Sequence, residues 1–249
     1  MRLEYSSWAQ VQEYFKENDM VVVPLGSVEN HGSHMGLGTD FLVPTKIVEL
    51  LQDRSDVLCL PAMPYGMADH HTDFSGTLTI GHDGLYLIMS RIAQQLRTMG
   101  AKKIVFLNGH GGNTPVLTRV GLDMEKQGVL CAIIDWWVLA GQLHAEWKGG
   151  HAGAQETSAM MYAAPQGIHM EYAKPFEPKN LTDELIYGGS NNVLCSGIPV
   201  QVPRQTVSFS EAGWFGPDDI QTATPEWGEQ MLNEVADFVA DFLRKFEKA

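Results

Sequence analysis

Cysteine is scarce in this chain: Cys59, Cys131 and Cys195 are the three in 249 residues. Their odd number and wide separation exclude a disulfide framework and a CxxC metal or redox pair, and the natural expectation is a reducing cytoplasm. Positive charge is also in short supply, with 17 Lys and Arg against 30 Asp and Glu and a formal net charge of −13. No basic cluster interrupts that excess, so an extended nucleic-acid surface is excluded, because phosphates demand grouped Lys and Arg. An anionic small substrate is not excluded, since cations held in a pocket would reverse the local field. Long apolar runs are missing as well. The longest, Val129 to Gly141, is too short for a bilayer and is broken by Asp135. Met1-Arg2-Leu3-Glu4-Tyr5 is charged early, with no uninterrupted apolar stretch behind it, so neither a secretory signal nor a membrane partner is expected.

What is present is enough for a sizeable core: 44% of the residues are hydrophobic. Val21–Leu25, Val57–Leu60, Lys103–Leu107 and Leu130–Ile134 are short apolar runs expected to form strands. Between them lie stretches with apolar residues at helical spacing, among them Phe41, Ile47, Val48 and Leu51, and then Leu87, Ile88, Ile92 and Leu96. A first helix is expected after Ser6 or Ser7 with Trp8, Val11, Tyr14 and Phe15 on one face, another from Thr114-Pro115, another over residues 155–162, and a last from Thr224-Pro225. Residues 165–216 are rich in turn formers and read as an excursion or a subunit contact. Alternation of strand, loop and helix predicts an α/β fold, a mostly parallel sheet flanked by helices. No repeat or linker divides it, so one domain over 1–249 is expected.

The chemistry concentrates after the expected strands. Glu29-Asn30-His31-Gly32-Ser33-His34 leads to Gly38-Thr39-Asp40. In an extended backbone Glu29 and His31 point to one side, and a glycine-rich loop that folds back would bring Asp40 to them. Carboxylates and imidazoles without a thiolate suit Zn, Mn, Fe or related divalent ions. A polar turn with Asp40 capping a helix is the alternative. His110, in Asn108-Gly109-His110-Gly111-Gly112-Asn113, also follows a strand, and the carboxyl ends of parallel strands converge on one crevice. In Gly150-His151-Ala152-Gly153-Ala154-Gln155-Glu156-Thr157-Ser158, Glu156 is either a partner of a helix N-terminus or a fifth metal ligand, with His151 beside it as a proton carrier.

Taken together, these three segments resemble the creatininase, or creatinine amidohydrolase, family, with the likeness weaker toward the C-terminal excursion. The resemblance implies an α/β hydrolase with two divalent ions, Zn and Mn before Fe, in a homo-oligomer that is hexameric in creatininase itself. It assigns Glu29, His31, Asp40 and His110 as metal ligands, with Asp40 the bridge, and His151 as the residue that assists proton transfer. Creatininase proper has a glutamate where this chain has Gly112, and Glu156 of the HxGxxETS segment is the implied replacement ligand. That departure points to a branch other than creatininase itself.

The expected function is hydrolysis of a small cyclic amide or formylamino substrate by metal-activated water. The alternatives are hydrolytic C–C cleavage of a cyclic keto-inositol and a non-catalytic, metal-stabilised oligomeric binding protein. Other branches of the family process a peptide precursor of a redox cofactor. Trp147 resembles a tryptophan lining the creatininase pocket, and His34 and His70 are further substrate contacts. Trp136 and Trp137 are expected to border the pocket or pack. His71, Asp73 and His82 are weaker choices for ligand contact, and Met160-Met161 reads as helix packing.

Overall fold

Strand β1 (Met20–Leu25) is buried at every position, as is β3 (Lys103–Asn108). Such continuous burial belongs to parallel strands covered on both faces. In the computed structural model, which describes residues 1–249, these two form the centre of a four-stranded parallel sheet. The flanking strands are β2 (Leu58–Cys59) and β4 (Leu130–Asp135), in the order β2-β1-β3-β4. The register sets Leu25, Asn108 and Asp135 side by side, so the carboxyl ends of three strands finish level.

Helices cover both faces. Helix α1 (Trp8–Glu17) precedes β1, and α2 (Thr39–Leu51), α3 (Gly81–Met99) and α4 (Thr114–Glu125) connect the strands. After β4 come α5 (Trp136–Leu143) and α6 (Ala154–Ala163), and α7 (Pro225–Phe246) closes the chain. Two apolar clusters result. One packs Ile47 and Leu51 of α2 with Val105, Leu107, Met160 and the α7 residues Met231, Val235 and Val239. The other packs Leu85 and Met89 of α3 with Leu117 and Val120 of α4. Successive residues of β1 serve opposite clusters, Val22 the first and Val21 and Val23 the second, as the two-residue period of a strand requires.

Local signals explain the helix starts. Ser7 and Gln10 form a reciprocal capping box on α1, Pro115 sits in the first turn of α4, and Thr224 caps α7 ahead of Pro225. One expectation needs correction, and two elements were not anticipated. Trp8 is 80% exposed, so the buried face of α1 is carried by Val11, Tyr14 and Phe15 without it. Helix α5 follows β4 with no intervening loop and has no turn residue to announce it. The turn-rich excursion contains an antiparallel sheet, β5 (Leu185–Tyr187), β6 (Asn192–Cys195) and β7 (Ile198–Gln201), whose strands are too short to show a period in sequence. No helix is long and apolar enough to cross a membrane.

Candidate metal centre

Two glycines let helix α2 approach the sheet. A Cβ on Gly26 would lie 2.2 Å from the Asp40 carbonyl carbon, and one on Gly109 would lie 1.8 Å from the Asp40 carbonyl oxygen. Only a bare backbone after β1 and β3 admits the first turn of α2 between them, and that turn carries Asp40. Glu29 and His31 come from the loop after β1, His110 from the end of β3, and Glu156 from the first turn of α6. All five are buried, Glu29 and His31 completely.

The donors form three overlapping groups, each with its ligand atoms within 4.8 Å of one another: Glu29, Asp40 and His110; His31, Asp40 and Glu156; and Glu29, His31 and His151. The first two share Asp40 and between them use all five expected ligands, and the third joins His151 to them. Asp40 Oδ1 lies 3.0 Å from His31 Nε2, while Oδ2 lies 3.1 Å from His110 Nδ1. His110 Nδ1 is also 3.1 Å from Glu29 Oε1, and His31 Nε2 is 3.7 Å from Glu156 Oε2. Both Glu29 oxygens, His31 Nε2 and Asp40 Oδ2 are buried without a hydrogen-bond partner. Unsatisfied buried polar atoms are costly, and here they converge from separate elements, as a cation site requires. Oxygen and imidazole donors without thiolate fit divalent Zn or Mn.

Backbone carbonyls fix each imidazole. His31 Nδ1 faces the Glu29 carbonyl at 3.2 Å, His110 Nε2 the Met67 carbonyl at 2.7 Å, and His151 Nε2 the Asn30 carbonyl at 2.8 Å. A nitrogen opposite a carbonyl must donate its proton, so His31 Nε2, His110 Nδ1 and His151 Nδ1 face inward, and each offers a lone pair there when its ring is neutral. His151 Nδ1 is 4.0 Å from Glu29 Oε1. The next residue, Ala152, has φ 54° and gives its N–H to Glu156 Oε2 at 2.6 Å. A left-handed alanine is strained backbone held next to working groups.

Gly112 has a structural reason. A Cβ there would sit 2.2 Å from the Met67 carbonyl and 2.5 Å from His110 Nε2, the two atoms whose hydrogen bond orients His110. No side chain fits at 112 in this arrangement, and the carboxylate beside His31 comes from α6 instead.

Electrostatics follow the crowding. Burial opposes charge on His31, but Asp40, Glu156 and Glu29 outweigh it and push its pKa up to about 10. His110 is likewise raised, against burial, by Glu29 and Asp40. Burial drives Glu156 up to about 7 and raises Glu29. Burial also favours protonated Asp40, yet His31 and His110 hold it below the usual carboxylate range. His151 is pushed well below 6.5 by burial and by His71, His31 and His110.

The other expected contacts divide. His34 is buried, with Nε2 3.1 Å from Thr157 Oγ1, and burial and His31 lower its pKa to about 4. His70 stacks on His110 at 5.7 Å between ring centroids. Trp147 is not among the donors: it packs on His144 at 4.1 Å and lines a separate cleft with Glu226, Trp227 and Gln230. Trp136 belongs to the core, whereas Trp137 borders Gly111, which follows His110. Asp73 and His82 are exposed. His71, by contrast, is buried against the centre, and Phe215 from the excursion stacks on His151 at 4.9 Å. The pairing of His71 with Asp73 was a misleading signal, and nothing local marked Phe215.

A cleft of about 400 Å³ opens beside His151, walled by Tyr187, Gly189, Asn192 and Phe215. A larger cavity, about 690 Å³, lies near the amino ends of β1 and β3, by Met20 and Lys103, and touches no donor.

Residues 4–243 match the family described as Creatininase, creatinine amidohydrolase. A mycofactocin precursor peptide peptidase of Mycobacterium tuberculosis is 33% identical over 230 residues, covering 87% of this chain and 81% of that protein. A mutant creatininase of Zn–Zn type shares the fold with a TM-score of 0.77 at 21% identity, covering 100% of this chain and 98% of the other. A manganese creatininase gives a TM-score of 0.75 at 22% identity, covering 100% and 99%. With the matched length, the common fold and the paired donor groups in view, the chain belongs to the creatininase family and is a metal-dependent hydrolase.

Proposed function

We propose that this protein hydrolyses an amide-type C–N bond at two divalent cations, Zn or Mn, one held by Glu29, Asp40 and His110 and the other by His31, Asp40 and Glu156. The observation that carries the reading is the sharing of Asp40, whose two oxygens face imidazoles of different groups. Two such cations supply Lewis-acid polarisation of a carbonyl and a water that ionises near neutral pH. The chain's own residues do the rest. Asp40, Glu29 and Glu156 bring negative charge that offsets the ions, and the carbonyls of Glu29 and Met67 keep His31 and His110 turned inward. His151, pinned by the Asn30 carbonyl, presents Nδ1 toward the centre. From there it takes a proton as the carbonyl is attacked and returns it to the leaving nitrogen. His34 backs the site through Thr157, and His70 stands over His110 where a substrate would enter.

The substrate we favour is a small cyclic amide or formylamino compound. A peptide bond is the second reading, favoured by the relative that is 33% identical and by the cleft beside His151, whose glycine-rich wall leaves room for an extended chain. We also take residues 1–249 as one working domain, because α7 at the C-terminus packs against α2 and α6 at the centre.

Metal-loaded protein incubated with creatinine, formylamino-pyrimidines, short peptides and cyclic keto-inositols, with product masses measured, tests the assignment. C–N hydrolysis is supported by a freed nitrogen: a ring-opened product one water heavier that carries both a new carboxylate and a new amine or guanidine, or release of an amine or formate from an open-chain substrate. A product one water heavier with a new carboxylate and no freed nitrogen would move the protein to C–C cleavage. Two tightly held ions with no exchangeable water would make it a binding protein.

A further inference from the structure

His71 has no part in the donor groups, yet it is placed as if it had work there. It sits in a 3-10 turn, Asp69–His71, and is 1% exposed. Its Nδ1 is buried without a hydrogen-bond partner, and its Nε2 lies 3.6 Å from Glu29 Oε1, too far for a hydrogen bond. A buried histidine ordinarily satisfies at least one ring nitrogen through a hydrogen bond, as His31, His110 and His151 each do with a backbone carbonyl. His71 instead stacks on His151 at 4.4 Å, and Phe215 stacks on His151 and His71 in turn.

The turn is firmly mounted. Met67 N–H donates to Asn113 Oδ1 and Ala68 N–H to Thr79 Oγ1, while Thr79 Oγ1 donates to Asp69 Oδ1. The stretch that lends its carbonyl to His110 therefore also fixes His71. The proton of His71 belongs on Nε2, because a lone pair there would confront a carboxylate oxygen. An N–H on Nε2 thus stands 3.6 Å from Glu29 Oε1 without bonding to it, beside the His151 ring.

We propose that His71 is a substrate-binding residue of this centre, whose Nε2–H donates to the oxygen of a group entering beside Glu29 and His151. The ligand class is an uncharged carbonyl compound, since the walls of the adjoining cleft carry no Asp, Glu, Lys or Arg. The proposal rests on the two-cation reading above.

Cobalt-loaded wild type, His71→Phe and His71→Asn are to be compared by elemental analysis and by titration with acetohydroxamate, followed in the visible spectrum. Phe keeps the stack without a donor, and Asn keeps a donor that is too short to reach. Whichever variant retains both ions is expected to bind acetohydroxamate at least about tenfold more weakly than wild type, the scale of one hydrogen bond in a dry site. A variant with both ions and unchanged affinity overturns the proposal, as does loss of ions from both variants, which would make His71 a structural prop. Fewer than two ions on the wild type would take down the two-cation reading itself, and this proposal with it.

Discussion

The loop after β1 and the loop after β2 reach the same centre by different means. The first, from Glu29 to Asp40, brings side chains whose types advertise metal chemistry. The second, residues 65–76, contributes a carbonyl at Met67 that orients His110 and an unpaired ring at His71. The first supplies ligands and, through the Glu29 and Asn30 carbonyls, also aims His31 and His151, whereas the second supplies aim without a ligand. Donors can be read from residue type, whereas aim depends on where backbone atoms arrive.

The sharpest way to break this division is at Asp40. Asp40→Ala is expected to lose both ions, leaving well under one per chain by elemental analysis, and to abolish hydrolysis. Two normally held ions in that variant would show that Asp40 is not shared. His151→Ala should retain both ions while kcat falls about 10²- to 10⁴-fold, the range for removing a general acid–base group. Loss of ions there would move His151 into the ligand set.

Gly112→Ala addresses the second loop directly, because its Cβ would press on the Met67 carbonyl and His110 Nε2. Metal affinity should weaken about 10- to 100-fold, as for other lost orienting partners, and competition with a chelator measures it. An unchanged affinity would mean that His110 needs no such aim.

The smallest effect is in proton release. In the cation-free protein His31 titrates at about 10 and His110 is also raised, so both imidazoles are protonated at neutral pH and must discharge to ligate. Apparent metal affinity should therefore rise with pH from neutrality toward 10, and calorimetry in buffers of different ionisation heat should register protons released. The same raised value means that His31 stabilises the cation-free fold fully below 6.5 and that this contribution is lost as pH rises through about 10. Affinity that falls over that range would contradict the geometry of the site.

Much of the fold was legible because β1 and β3 are unbroken apolar runs and the helix starts carry Ser7, Pro115 and Thr224. The candidate donors, which the structure brings together, stood out in sequence because each follows a strand or opens a helix, where residue type and position coincide. Helix α5 escaped because it continues β4 without a break, and the β5–β7 sheet because its strands have three or four residues. Trp147 drew attention through its resemblance to a tryptophan lining the creatininase pocket, and here it packs on His144 and in the cluster that holds α7. His71 stood out little in sequence because its spacing pairs it with Asp73, which faces solvent. What mattered was a stack on His151, a contact 80 residues away in sequence.

The central claim is that one carboxylate joins two ions. Electron paramagnetic resonance of the manganese-loaded protein, read beside its metal content, tests it most directly. The account predicts two Mn per chain with the signature of an exchange-coupled pair, which Asp40→Asn removes. Two magnetically isolated ions, or a single ion at saturation, would contradict it.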